Sequence, residues 1–147
     1  MGSVNLIKYI GIPYSARGRT MASADCWGIC LLFYQEMTGQ NLPDYFYTEQ
    51  EIQSAMEKQI AIEAEDPSRW EPVEFGQEQV GDILLFNVSA VQVHCGIMVN
   101  PVNRDFLHSF PGRNSCIERL DSVVWKNRYQ KARRWIVGTD KGVVDNG

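Results

Sequence analysis

The sequence predicts an α+β fold: N-terminal helices packed on a C-terminal antiparallel sheet of about five to six strands. Two observations carry this. Cys26, Cys30, Phe33, Tyr34 and Met37 repeat at helical spacing and share one face. After Gly76 the pattern changes to short runs rich in β-branched and aromatic residues, separated by Gly, Asn or Pro. Helices segregated from strands along a chain are the signature of an α+β domain.

In chain order, "VNLIKYIG" reads as a short helix and "IPYSARGRTMASA" as a loop of small residues and glycine. A helix is expected from about Asp25 to Met37, stopped by Gly39 in the left-handed closing position. "TEQEIQSAMEKQIAIEAE" reads as a second helix, with Thr48 and Glu51 spaced as a capping box, and "DPSRW" ends it. "DILLFNV", "VQVHCGIMV", "RDFLHSF" and "CIERL" read as successive strands, "SVVWKNR" as a short helix and "ARRWIVG" as a last strand. No repeat or linker divides the 147 residues, so a single domain over 1–147 is expected, large enough to bury a core without disulfide staples.

Composition excludes several classes. A net charge of −4 argues against a nucleic-acid binder, which needs a basic surface to neutralise phosphates. The basic run "KNRYQKARRW" reads instead as a solvated face. The stretch from Ile83 to Asn103 lacks Asp, Glu, Lys and Arg, but it contains Asn87, Ser89, Gln92, His94, Asn100 and Pro101. It reads as two strands and a turn, not a membrane span. The first residues hold no long apolar core, so synthesis in the cytoplasm without a secretory signal is expected. The four cysteines, Cys26, Cys30, Cys95 and Cys116, are then expected as reduced thiols.

Chemistry centres on Cys26 and on the two histidines, His94 and His108. A thiol becomes a potent nucleophile at neutral pH once its pKa is modestly depressed. The free N–H groups and dipole at a helix start favour the anion, an imidazole takes the proton, and a second polar group orients the imidazole. Cys26, His94 and His108 suit these roles by type. The competing readings are a buried structural cysteine and structural strand histidines. Cys30, one turn deeper, reads as core. Strand alternation sends Cys95 to the face opposite His94, with Val93, Cys95, Ile97 and Val99 in one row and His94, Gly96 and Met98 in the other. Gly96 would let another element pack closely beside His94. A zinc site would have to draw on Cys26, Cys30, His94, Cys95, His108 and Cys116. Their spacing offers no compact Cys-x-x-Cys pair, and alternation keeps His94 and Cys95 off one metal. No metal and no cofactor is expected.

"YIGIPY" followed by "GR", "DCWGICLLFYQEMTGQNLPDY", "GDILLF", "HCGIMV", "FLHS" and "CIERL" together resemble the NlpC-type cysteine peptidases, papain-like cell-wall endopeptidases. The likeness runs from about Tyr9 to Trp135 and is greatest to the branch found with phage and prophage tails. It implies a papain-like fold with Cys26 as nucleophile, His94 as general base and His108 as orienting residue. It implies that Tyr14 reaches the active site by its hydroxyl, and that Asp25 receives the amino end of a stem peptide. Where many bacterial relatives carry a serine that holds D-glutamate, this chain has Trp27, expected as an apolar wall of the cleft. Arg17 or Arg19 is then expected to supply the missing polar contact. The function implied is hydrolysis of an amide bond in peptidoglycan stem peptides, between D-Glu and the diamino acid. The partners expected are the stem peptide and, in a virion tail, phage tail proteins. The alternatives are a non-catalytic tail-assembly or structural component, and an acyltransferase or transamidase on the same fold.

Overall fold

The computed structural model describes residues 5–44, 60, 63–89 and 92–139. A 3-10 turn over Leu6–Tyr9 stands where the first short helix is expected, capped by the Asn5 side chain. The loop after it contains a small hairpin, β1 (Arg19–Thr20) and β2 (Ser23–Ala24). Helix α1 covers Cys26–Thr38, with Asp25 as its N-cap and Gly39 as its C-cap at φ 75°. A left-handed closing residue of this kind is tolerated best by glycine, so both ends stand where the sequence puts them. The expected second helix lies outside the described residues, except for Ile60 and residues 63–65.

Among the described residues six antiparallel strands follow: β3 (Trp70–Val73), β4 (Ile83–Ser89), β5 (Gln92–Asn100), β6 (Asp105–Phe110), β7 (Arg113–Arg119) and β8 (Tyr129–Trp135). Their order in the sheet is β3-β8-β4-β5-β6-β7, so the last strand inserts between the first two. The structure corrects two expectations. "SVVWKNR" forms a series of turns, not a helix; Lys126 N and Trp125 N both donate to the Ser122 carbonyl, and the chain then turns directly into β8. The stretch ending at Trp70 opens β3, because Trp70 pairs with Trp135 across the sheet and their rings lie 4.8 Å apart.

Alternation along the strands divides the interior into two layers. Ile83, Leu85, Cys95, Ile97, Val99 and Leu107 face α1 and pack with Cys26, Trp27, Ile29, Cys30 and Phe33. Leu84, Phe86, Met98, Phe106 and Ala132 face the other way, under Leu120 and Trp125. Helix α1 lies across β5 and β6. Beside β7, the segment before the first loop is bound to Ser115. Its Oγ donates to the Tyr9 carbonyl (2.6 Å) and accepts from Ile12 N (2.8 Å). Gly11 N donates to the Ser115 carbonyl, and Ser115 N to that of Ile12. Among the described residues no helix is long and apolar enough to cross a membrane.

The start of α1 is pressed against the loop. A Cβ at Gly28 would stand 2.0 Å from the Gly18 carbonyl oxygen, a backbone atom that cannot swing aside. Gly28→Ala is therefore expected to lower stability by at least the upper part of the usual overpacking range, about 3 kcal/mol, as read by denaturant unfolding. A loss under about 1 kcal/mol would show that the loop can retreat.

Candidate active site

The helix start is organised by Asp25. Its backbone is extended, and Oδ1 accepts from Gly28 N (2.7 Å), which satisfies one of the orphan donors of the first turn. Oδ2 accepts from Arg17 N (2.8 Å), and Arg19 Nη1 donates to Oδ1 (2.7 Å). The side chain has no exposed surface. This corrects the expectation that Asp25 receives a substrate amine: the carboxylate is turned inward onto the loop and the helix. Arg19 clamps two carboxylates and keeps part of its side chain exposed. Its Nε donates to Asp44 Oδ1 (2.8 Å) while Nη1 also reaches the Gly18 carbonyl (2.9 Å). Burial works against its charge, but Asp25 and Asp44 together hold the guanidinium more firmly ionised than usual. Arg17 lies at the surface with φ 65°. Tyr14 is half-buried in the loop, next to Pro13, whose carbonyl accepts from Ala24 N.

Cys26 is the first residue of α1 and is buried in the layer between helix and sheet. Its thiol shares that layer with those of Cys30 and Cys95. Burial pushes the Cys30 and Cys95 thiols up, as core cysteines require. Trp27 is fully buried, not a cleft wall, and this is a second correction. Its ring meets Trp70 edge-on at 6.4 Å, and its Nε1 donates to the Pro43 carbonyl (2.8 Å). A rotation of about 100° from Cys26 around the axis carries the indole into the core toward β3.

The two histidines meet on the opposite layer. His94 Nε2 lies 2.8 Å from His108 Nδ1, and His108 Nε2 lies 2.7 Å from Glu118 Oε2. Both rings are buried. Trp125 stacks on His94 at 5.7 Å and meets His108 edge-on at 5.0 Å. Gly96 makes room for this pairing, since a Cβ there would come within 2.8 Å of Phe106 Cδ2 and 3.3 Å of His108 Cβ. Burial, and then the neighbouring His108, hold His94 well below the ordinary imidazole range. The hydrogen bond from His108 holds Glu118 down at about 2. The structure thus joins His94 to His108 and places Cys26 on the α1 side, against the residue that follows His94. Ser109, next to His108, faces α1 and donates from Oγ to the Ala24 carbonyl (3.0 Å), tying β6 to the helix start.

Glu118 and Trp125 are additions that the sequence reading lacks. The signal for Glu118 is present: His108 pairs with Cys116 across β6 and β7, so Glu118, two residues on, shares its face.

Because a carboxylate only accepts, His108 Nε2 must carry a proton and donate it to Glu118. A neutral His108 then has a bare Nδ1, which accepts from His94 Nε2. The remaining nitrogen of His94, Nδ1, is left bare, with its lone pair free to accept a proton. The chain of two rings and a carboxylate therefore selects one tautomer for each ring.

Comparison with known proteins agrees with this architecture. The profile of the NlpC/P60 family matches residues 11–134. The murein DD-endopeptidase MepS/murein LD-carboxypeptidase of Escherichia coli K12 is 26% identical over 124 residues, covering 84% of this chain. The chain spans 56% of that relative's length. An NlpC/P60 family protein from Bacillus cereus superposes with a TM-score of 0.62 at 20% identity, over 88% of this chain and 37% of that one. The NlpC/P60 domain of the peptidoglycan hydrolase SagA gives 0.57 at 21% identity, over 87% and 91%. These likenesses share the helix-on-sheet, papain-like α+β fold seen here.

The depressed His94 makes stability depend on pH. An unfolded chain takes up a proton there near the ordinary value of 6.5, while the folded chain resists it. The unfolded state then binds more protons, so stability falls as pH drops below 6.5. The expected slope is about 1.4 kcal/mol per pH unit between roughly pH 6 and 5, above the range where carboxylates titrate. It should vanish in His94→Gln when unfolding is measured across that window. An unchanged slope would assign the effect elsewhere.

Proposed function

The chain belongs to the NlpC/P60 family, and from that premise we propose that it is a cysteine peptidase of bacterial cell-wall peptidoglycan. The bond cut is the amide between D-Glu and the diamino acid of the stem peptide. The setting is local wall opening by a phage or prophage tail, a reading supported by the resemblance of the Asp25-Cys26-Trp27 stretch to the tail-associated branch. The observation that carries the chemistry is the Glu118–His108–His94 chain, which leaves His94 with a bare Nδ1.

In this reading His94 Nδ1 takes the proton of the Cys26 thiol. The thiolate attacks the carbonyl carbon, and the oxyanion formed is held by the Cys26 backbone N–H at the helix start and by Tyr14. His94 then gives its proton to the leaving amine, and a thioester remains on Cys26. Water, deprotonated by the same nitrogen, cleaves the thioester and restores the thiol. His108 and Glu118 act as positioning residues. They hold the tautomer and disperse the positive charge that forms on His94. Cys26 opens α1, the helix that lies across β5, the strand that carries His94.

Cys26→Ala should abolish release of the new amine from defined stem peptides, read by mass spectrometry, with the circular dichroism spectrum unchanged. Cys30→Ala should retain turnover. An active Cys26→Ala enzyme would sink the assignment.

Glu118→Gln tests the relay. An amide can donate to His108 Nε2, which reverses the tautomers along the chain. The rate should fall by about a hundredfold or more, and the pH–rate profile should change shape. A fall in kcat with an unaltered profile would reduce Glu118 to a packing role.

A further inference from the structure

We propose that His108, Cys116 and Glu118 form a binding site for one divalent d-block cation of the zinc class. Their ligand atoms all lie within 4.8 Å of one another. Cys116 Sγ is 3.6 Å from His108 Nε2 and 3.6 Å from Glu118 Oε2. A tetrahedral zinc with metal–sulfur and metal–nitrogen bonds of about 2.3 and 2.0 Å sets ligands about 3.5 Å apart. Two of the three edges therefore already have the spacing of a metal site. The third, His108 Nε2 to Glu118 Oε2, is 2.7 Å because a proton lies in it, and it must open by under about 1 Å.

The donor set suits a borderline-soft cation: one thiolate, one imidazole and one carboxylate, with the fourth position open to water. The backbone supplies it without rearrangement. His108 and Cys116 are direct cross-strand partners, and Glu118 is the next residue on that face of β7. His108 is buried, whereas Cys116 and Glu118 are partly exposed, so the cation enters from solvent on the β7 side. In the metal-free site Cys116 Sγ donates to Glu118 Oε2 (3.6 Å), so it holds an S–H, whose proton leaves as the cation binds.

The effect on the enzyme rests on the peptidase reading; the site itself does not. The cation occupies the Nε2 lone pair of His108, so that ring must carry its proton on Nδ1 and donate to His94. His94 Nε2 becomes the acceptor, and its one proton moves to Nδ1. Each ring keeps its proton count, the thiol proton goes to solvent, and the nitrogen that would serve as base is capped. The site is inhibitory.

Cobalt(II) titrated into the metal-free full chain should give a thiolate-to-cobalt charge-transfer band that saturates at a single equivalent. The band should persist in Cys26→Ala and be lost in Cys116→Ser. Circular dichroism checks that Cys116→Ser folds; should it not fold, Glu118→Gln should weaken cobalt binding instead. Absence of the band, or a band that survives Cys116→Ser, overturns the site. Saturating zinc should cut wild-type hydrolysis by about a hundredfold or more, reversibly on chelation, and leave the rate of Cys116→Ser unchanged. Equal inhibition of Cys116→Ser would put the metal on Cys26 and overturn the tautomer argument. A metal-free chain with no hydrolytic activity would sink the peptidase reading, while the cobalt spectra still decide the site.

Discussion

A carboxylate with no exposed surface must find all its partners inside the protein, and Asp25 sets that condition here. Its two oxygens gather Arg17 N from the loop, the Arg19 guanidinium from β1 and Gly28 N from α1. Loop, hairpin and helix thereby become one unit. The demand is strong enough to hold Arg17 at φ 65°, a region that a residue with a Cβ enters at some cost. It also brings Gly28 down onto Gly18, where no side chain fits. The place and direction of Cys26, the next residue, follow from this arrangement rather than from any contact of its own.

The sheet then acts as a partition. Consecutive residues of β5 face opposite layers, so His94 joins rings while Cys95 joins thiols. The imidazole side is lined by Phe86, Phe106 and Trp125. In such surroundings hydrogen bonds strengthen one another, and an unpaired charge is expensive. That is why a carboxylate two strands away from His94 can decide which nitrogen of it carries the proton.

Much of this was legible in the residues themselves. Asp25 and Gly39 bracket α1 as cap and stop, and the β5 alternation separates His94 from Cys95, because both depend on local geometry alone. The position of Trp27, one residue after the candidate nucleophile, points to a cleft, whereas β3, a strand that the local pattern does not announce, provides Trp70 to bury it. The sequence likewise points Asp25 outward, whereas its side chain is fully buried. Nothing in a linear reading shows that two carboxylates and one guanidinium will satisfy each other across a loop. Glu118 is not legible in the sequence because its partner is set by the register of β6 and β7, which depends on long-range pairing.

The bonds between residues 9–12 and Ser115 have a further consequence. β7 is the outermost strand on its side of the sheet, and an outermost strand offers unpaired N–H and C=O groups to any passing chain. Gly11 and Ile12 occupy those groups along its middle, with the Ser115 hydroxyl locking them in place. Residues 9–12 therefore act as a guard against strand exchange. A chain shortened past Ile12 would keep its six-stranded sheet but present a bare β7, and would be prone to pair edge to edge with its own copies.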